Sequence, residues 1–186
     1  MPDVREAHKS GAPGSGPARH PVHSVQDERR RKPKEVAIRR EVWIALGTLA
    51  VDQASKVAVS VFMSPGDSVE VLGTFFRLTY IHNPYAVFGI AVGPPKLYLL
   101  FSLFALGVVV WAFIHAYRGL PRYALALVLG GALGNLLDRL RMGSVVDFLD
   151  FGVGRYRWPV FNVADSAVTV GIALLIWGYV GRKDRD

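Results

Sequence analysis

Residues 97–117 read LYLLFSLFALGVVVWAFIHAY, twenty-one positions without a single Asp, Glu, Lys or Arg. At 1.5 Å per residue such a run, if helical, matches the roughly 30 Å hydrocarbon thickness of a bilayer. It is apolar all round, with no wet face recurring every 3.6 residues, so it has no side to offer to water. Working outward, three more apolar runs occupy residues 43–62, 120–137 and 161–180. The chain is 51% hydrophobic yet 20% charged, and the two classes are segregated, charge crowding into the first forty residues and the last five. The predicted fold class is therefore membrane all-α with four transmembrane helices.

Residues 1–40 carry ten Lys or Arg against five Asp or Glu, interspersed with Gly, Pro and Ser. That composition buries no core and predicts a disordered basic tail. It lacks the apolar stretch and small-residue cleavage site of a secretory leader, so the first span is expected to do the targeting. A four-span domain is predicted over residues 41–182, with 183–186 as a second short tail. The tail, the turn with Arg118 and Arg122, and the end with Arg182, Lys183 and Arg185 share one side, which the positive-inside rule makes cytoplasmic: N-in, C-in. The basic run Arg29, Arg30, Arg31, Lys32 and Lys34 is read the same way, as a cytoplasmic flank and not a nucleic-acid site. There is no cysteine, which excludes disulfides, thiolate metal sites and thiol nucleophiles.

The longer connections, residues 63–96 and 138–160, then lie outside the cytoplasm. Val69 to Tyr80 is rich in β-branched and aromatic residues around Gly73, and Val145 to Trp158 has a similar mixture with Gly152 and Gly154 as turn residues. A small sheet at the membrane surface is predicted from the first, with related structure in the second.

Charged groups inside spans cost at least about 2.5 kcal/mol each on insertion scales, so each requires a partner or a purpose. Asp52 and Lys56, four apart, share a helical face and can pair, which alone serves packing as well as chemistry. Gly130 and Gly134 form a small-xxx-small surface that is read as a packing device. Asn135, Asp138 and Arg139 stand at i, i+3 and i+4 on one face at the outer end of the third span. Asn162 and Asp165 open the fourth, where they fit equally well as an N-cap and a first-turn acid. Antiparallel spans three and four meet at that edge, so Asp147 and Asp165 can converge there. Two close carboxylates in a partly desolvated place cannot both ionise, and one proton shared between them is the device of an aspartic peptidase. Such chemistry needs no metal or cofactor, and the sequence has no H-E-x-x-H. A proton-coupled transporter would need polar residues through both leaflets, whereas these gather at one edge; a noncatalytic scaffold would use the carboxylates as caps and ion pairs.

Five blocks together resemble the lipoprotein signal peptidase (signal peptidase II) family: Asp52-Gln53-Ala54-Ser55-Lys56, Asn83 through Phe88-Gly89, Gly130 through Arg139, Val145-Val146-Asp147-Phe148, and Phe161 through Ser166. The resemblance covers about residues 43–180 and implies an aspartic endopeptidase of the bacterial inner membrane. Such an enzyme cuts diacylglyceryl-modified prolipoproteins before the lipidated cysteine, near the extracytoplasmic face. It implies a catalytic pair, Asp147 and Asp165, with Asp52, Lys56, Asn83, Asn135, Asp138, Arg139 and Asn162 ordering the dyad, binding substrate or holding helices. It also implies that the extracytoplasmic sheet forms a β-cradle, with a short surface helix, for a lipid-bearing substrate. One position departs: the family's usual glycine two residues after the asparagine is Tyr85 here. A side chain there fills space near the substrate backbone or alters the loop.

Overall fold

The computed structural model describes residues 23–85, 93–116 and 119–183. The chain divides into two compact units, Met1–Lys34 and Glu35–Asp186, and the sheet and all four apolar stretches belong to the second. In order, the elements are α1 (His23–Phe62), β1 (Ser68–Leu72), β2 (Phe76–Asn83), α2 (Pro95–His115), α3 (Leu120–Met142), β3 (Val145–Val153), β4 (Tyr156–Arg157) and α4 (Val163–Lys183). Among the described residues, four portions are long and apolar enough to cross a membrane: Arg40–Phe62, Lys96–His115, Leu120–Met142 and Val163–Val180.

Several boundaries differ from the expected ones. Residues 23–40 are helical where an irregular tail is expected; Arg, Lys and Glu are good helix formers, so a lack of apolar residues does not prevent a helix. Residues 1–22 and 86–92, Tyr117 and Arg118 of the expected turn, and residues 184–186 of the expected second tail lie outside the described residues. Helix α3 continues past Leu137 to Met142, so Asp138 and Arg139 are helical. It stops at Gly143, whose φ of 71° is left-handed and whose N–H donates to the Arg139 carbonyl at 3.0 Å. The short surface helix is not found among the described residues, where the four long helices are the only ones.

The outward faces are apolar. Phe101, Phe104, Trp111 and Ile114 of α2 and Ile176, Trp177 and Val180 of α4 are all exposed, an arrangement that suits hydrocarbon and not water. Inside, α3 is the axis. A Cβ on Gly130 would meet Ala45 and Thr48 of α1, and one on Gly131 would meet Ala164 and Val168 of α4. Bare backbone on two adjacent sides of one helix lets α1 and α4 both pack closely against α3.

The two β-rich connections join in one sheet, order β1-β2-β3-β4 and antiparallel throughout. The α2–α3 pair is inserted between β2 and β3, so the chain leaves the sheet at Asn83 and returns at Val145, directly opposite. A bulge between Leu78 and Ile81 shifts the register by one residue, pairing Ile81 with Asp147. On its other side β3 exchanges backbone hydrogen bonds with Phe161, Leu149 N–H donating to the Phe161 carbonyl at 2.7 Å and Phe161 N–H donating to the Leu149 carbonyl at 3.0 Å. Strand β3 is thus pinned between the end of β2 and Phe161, two residues before α4. Val146 and Phe148 are buried with Val59 of α1 and Tyr80 of β2, fixing the strand over the helix ends.

Candidate active site

Strand β3 carries Asp147 inward, 2% exposed, and the turn into α4 brings Asn162 alongside it. Asp165 sits in the first turn of α4, where its backbone N–H donates to Asn162 Oδ1 at 2.9 Å and its Oδ2 accepts from Asn162 N–H at 3.3 Å. This is a reciprocal cap of the kind that starts helices. Here it has a second effect. With its oxygen committed to a backbone N–H, Asn162 must turn its NH2 outward, and Nδ2 donates to Asp147 Oδ1 at 2.7 Å.

The same logic fixes two more amides. Asn135 Oδ1 accepts from Lys56 Nζ at 2.9 Å, and an ammonium can only donate, so Asn135 Nδ2 points to Asp165 Oδ1 at 2.8 Å. Asn83 Oδ1 accepts from Tyr85 N–H at 3.0 Å, so its Nδ2 donates to Asp147 Oδ2 at 2.9 Å. Asn162 Nδ2 also reaches Asn135 Oδ1 at 3.1 Å, linking the two carboxylates through two amides. Both oxygens of each carboxylate keep lone pairs for a water or a shared proton.

Burial pushes the Asp147 carboxyl up to about 7, and the nearby Asp165 charge adds to the rise. Hydrogen bonds from Asn83 and Asn162, and the Lys56 charge, oppose it. Near neutral pH this group exchanges its proton readily.

Behind the pair lies a closed charge cluster. Lys56 Nζ meets Asp52 Oδ2 at 2.9 Å, Asp138 Oδ2 at 2.8 Å and Asn135 Oδ1 at 2.9 Å, which uses its three hydrogens. Asp52 Oδ1 accepts the Ala164 N–H at 2.8 Å, and Asp138 Oδ2 accepts the Val146 N–H at 3.2 Å. One ammonium therefore ties α1, α3, β3 and the start of α4. Arg139 donates to backbone carbonyls, to Asn135 at 3.4 Å and to Tyr85 at 3.2 Å, while its buried Nε has no partner among the described residues.

All nine residues singled out in the sequence are brought together at this end of the bundle. Asp150 is not among them: it accepts from Arg157 Nε at 2.6 Å and Thr79 Oγ1 at 2.8 Å, on the opposite face of β3 from Asp147. Two contributors escaped the sequence reading. Gln53 Nε2 donates to Asp138 Oδ1 at 3.0 Å and to Asp52 Oδ2 at 3.2 Å, and its position as an uncharged polar residue inside a span was the available signal. Gly134 does more than pack helices, because a Cβ there would collide with the Asp52 carboxylate.

A model of the family described as signal peptidase (SPase) II matches residues 44–180. A lipoprotein signal peptidase of Moorella thermoacetica is 45% identical over 140 residues, covering 72% of this chain and 88% of the relative. One from Pelotomaculum thermopropionicum is 46% identical over 140 residues, covering 74% and 90%. A bacterial membrane enzyme solved by the in meso method at 2.3 Å superposes with a TM-score of 0.74 at 32% identity, over 80% of this chain and 92% of its own.

Proposed function

The chain belongs to the signal peptidase II family, multi-pass membrane proteases that remove signal peptides from prolipoproteins, and we propose that it works as an aspartic endopeptidase with Asp147 and Asp165 as its dyad. The observation that carries the reading is the set of three asparagine amides, each locked by an unambiguous donor, that aim NH2 groups at two adjacent carboxylates. A structural ion pair has no use for such a cage; a pair that must trade one proton does.

In this mechanism Asp147 holds the proton, which its burial and the neighbouring Asp165 charge favour, and Asp165 takes the part of the ionised partner. Asp165 takes a proton from water as the water oxygen adds to the scissile carbonyl carbon, and Asp147 gives its proton to the carbonyl oxygen. The tetrahedral diol then collapses: the C–N bond breaks, the nitrogen takes the proton from Asp165, and Asp147 recovers one from a hydroxyl. Asn83, Asn135 and Asn162 hold both carboxylates through each exchange. The Asp52–Lys56–Asp138 cluster keeps the helices in register, and Arg139 lies where a substrate backbone would pass.

The substrate on this reading is a diacylglyceryl-modified prolipoprotein, cut before the lipidated cysteine and reached from the surrounding lipid. The protein lies in the bacterial inner membrane with both termini cytoplasmic and no nucleic-acid partner, the dyad and β-cradle toward the extracytoplasmic face. The basic residues that precede the apolar stretch of α1, and Arg122 at the opposite end of α3 from the dyad, support that orientation.

The test is cleavage of a synthetic lipid-modified signal peptide by purified protein in detergent, with an unlipidated control. Wild type is expected to cut only the lipidated peptide. Asp147→Asn and Asp165→Asn should each lose at least about a hundredfold in kcat while remaining folded, the scale of a missing general acid or base. Turnover retained by either variant overturns the dyad.

A further inference from the structure

Tyr85 enters the site in three ways. Its N–H donates to Asn83 Oδ1 at 3.0 Å, its carbonyl accepts from Arg139 at 3.2 Å, and its ring meets the Tyr98 ring edge-on, centroids 5.9 Å apart at 73°. Tyr98 is buried, 3% exposed, in the first turn of α2. The backbone contacts matter because an asparagine amide can flip. Asn83 donates to Asp147 only while its oxygen is held by the Tyr85 N–H; flipped, it would set a carbonyl oxygen against a carboxylate. Tyr85, which carries that N–H, follows β2 after Pro84 and lies outside the strand pairing. The described contact that ties it to α2 is the aromatic one.

We propose that Tyr85 is a positioning residue, whose ring on Tyr98 clamps the end of β2 to α2 so that Asn83 keeps its NH2 on Asp147 and Arg139 keeps its carbonyl anchor. The proposal rests on the reading of Asp147 as a reacting carboxyl. The glycine usual in the family's pattern would leave this link to the backbone alone; here an edge-to-face pair reinforces it.

The consequence is legible in the pH profile. The charged groups around Asp147 are Asp165 on α4, Lys56 on α1 and Arg139 on α3, with Asp52 and Asp138 behind Lys56. On β2, His82 is taken up by Tyr80 and Ser144. None of these contacts depends on Tyr85 except that of Arg139. The Asn83 bond favours the ionised form of Asp147, so loosening it moves the alkaline limb of kcat/KM to higher pH.

The experiment measures kcat, KM and the pH profile on the lipidated peptide for wild type, Tyr85→Ala, Tyr85→Phe, Tyr98→Ala and the double alanine variant. Tyr85→Ala should lose about tenfold, the scale of an aromatic pair with the bond it supports, mainly in kcat, with its alkaline limb raised. Tyr85→Phe should restore both. Tyr98→Ala should reproduce the raised alkaline limb of Tyr85→Ala, and the double variant should lose less than the sum of the two single losses, because the ring contact is shared by both. If Tyr85→Ala does not fold, Tyr98→Ala carries the same test from the other ring. An unmoved alkaline limb in whichever of the two folds, or additive losses in the double variant, overturns the proposal. Asp147→Asn serves as the control that separates failures: if it is active, the dyad is at fault and not the clamp.

Discussion

Two pairs of carboxylates lie at the same end of the bundle and are satisfied in opposite ways. Asp52 and Asp138 face an ammonium, share Gln53 and accept backbone N–H groups, so that charge and hydrogen bonds are both closed. Asp147 and Asp165 face neutral amides, and among the described residues no ion pair reaches either of them. A closed charge cluster, with its donors and acceptors all used, serves as structure. Carboxylates held by amides are oriented without being neutralised, which leaves a proton free to move. Asn135 joins the two, taking Lys56 on its oxygen and giving Asp165 its nitrogen.

The largest effect that tests this contrast comes from the closed cluster. Lys56→Met leaves Asp52 and Asp138 buried without their cation and frees Asn135 to flip. The expected loss is about 3–5 kcal/mol of stability, seen as a lower melting temperature in detergent, with activity falling because the fold does. If the variant melts like wild type but is inactive, Lys56 belongs with the chemistry and the division drawn above is misplaced.

Protonation separates the two pairs next. Asp147 has an ordinary carboxylate value of 3.8 when unfolded and about 7 when folded, so the folded state binds its proton more tightly. The stability this lends is full below 3.8 and is lost as pH rises through about 7. Asp147→Asn does not titrate in that window. Its melting temperature relative to wild type should therefore climb between about pH 4 and pH 7, by an amount worth at most a few kcal/mol. A difference that is flat with pH would remove the raised Asp147 value. Activity should fall as pH rises above about 7, when the pair loses its shared proton.

Gly134→Ala is a smaller perturbation aimed at the closed cluster. Its methyl would collide with the Asp52 carboxylate, and overpacking of this kind costs about 1–3 kcal/mol. Gly130 presents the same sequence signal, yet its neighbours are Ala45 and Thr48 of α1 and not a charge. Glycine spacing shows that helices approach closely without showing what approaches, which is why Gly134 read as a packing residue alone.

The spans were legible for a physical reason: long uncharged runs have few alternative uses, and polar groups inside them stand out. Asp52, Lys56, Asn135, Asp138 and Asp165 were conspicuous on that ground. What was not legible depended on distance along the chain. Nothing local says that Asn83 will pair with Val145, since the α2–α3 insertion separates them and the register follows from a bulge. The end of α3 was set too early because hydropathy falls at Asp138, while Arg139, Leu140, Arg141 and Met142 remain good helix formers. Gln53 was passed over beside its charged neighbours, although a buried amide needs partners as surely as a buried charge does.

The smallest effect concerns the third carboxylate of this region. Asp150 stands three residues after Asp147 on β3, and on a strand that spacing turns the two side chains to opposite faces. Asp150 receives Arg157 and Thr79, and Arg157 also reaches the carbonyls of Asp150 at 3.0 Å and Thr74 at 2.8 Å. Its work is to tie the far half of the sheet. Asp150→Asn keeps an acceptor for Arg157 and loses only the charge of the bond, so the melting temperature should drop by the equivalent of about 1 kcal/mol. Turnover of the lipidated peptide should stay within about twofold of wild type, since no part of the dyad touches Asp150. The carboxyl-to-amide change is chemically the same as in Asp147→Asn and is made on the same strand, so only position distinguishes the two variants. Equal loss of activity in both would mean that β3 tolerates no change at any aspartate, and the assignment of catalysis to the amide-held pair would fall with it.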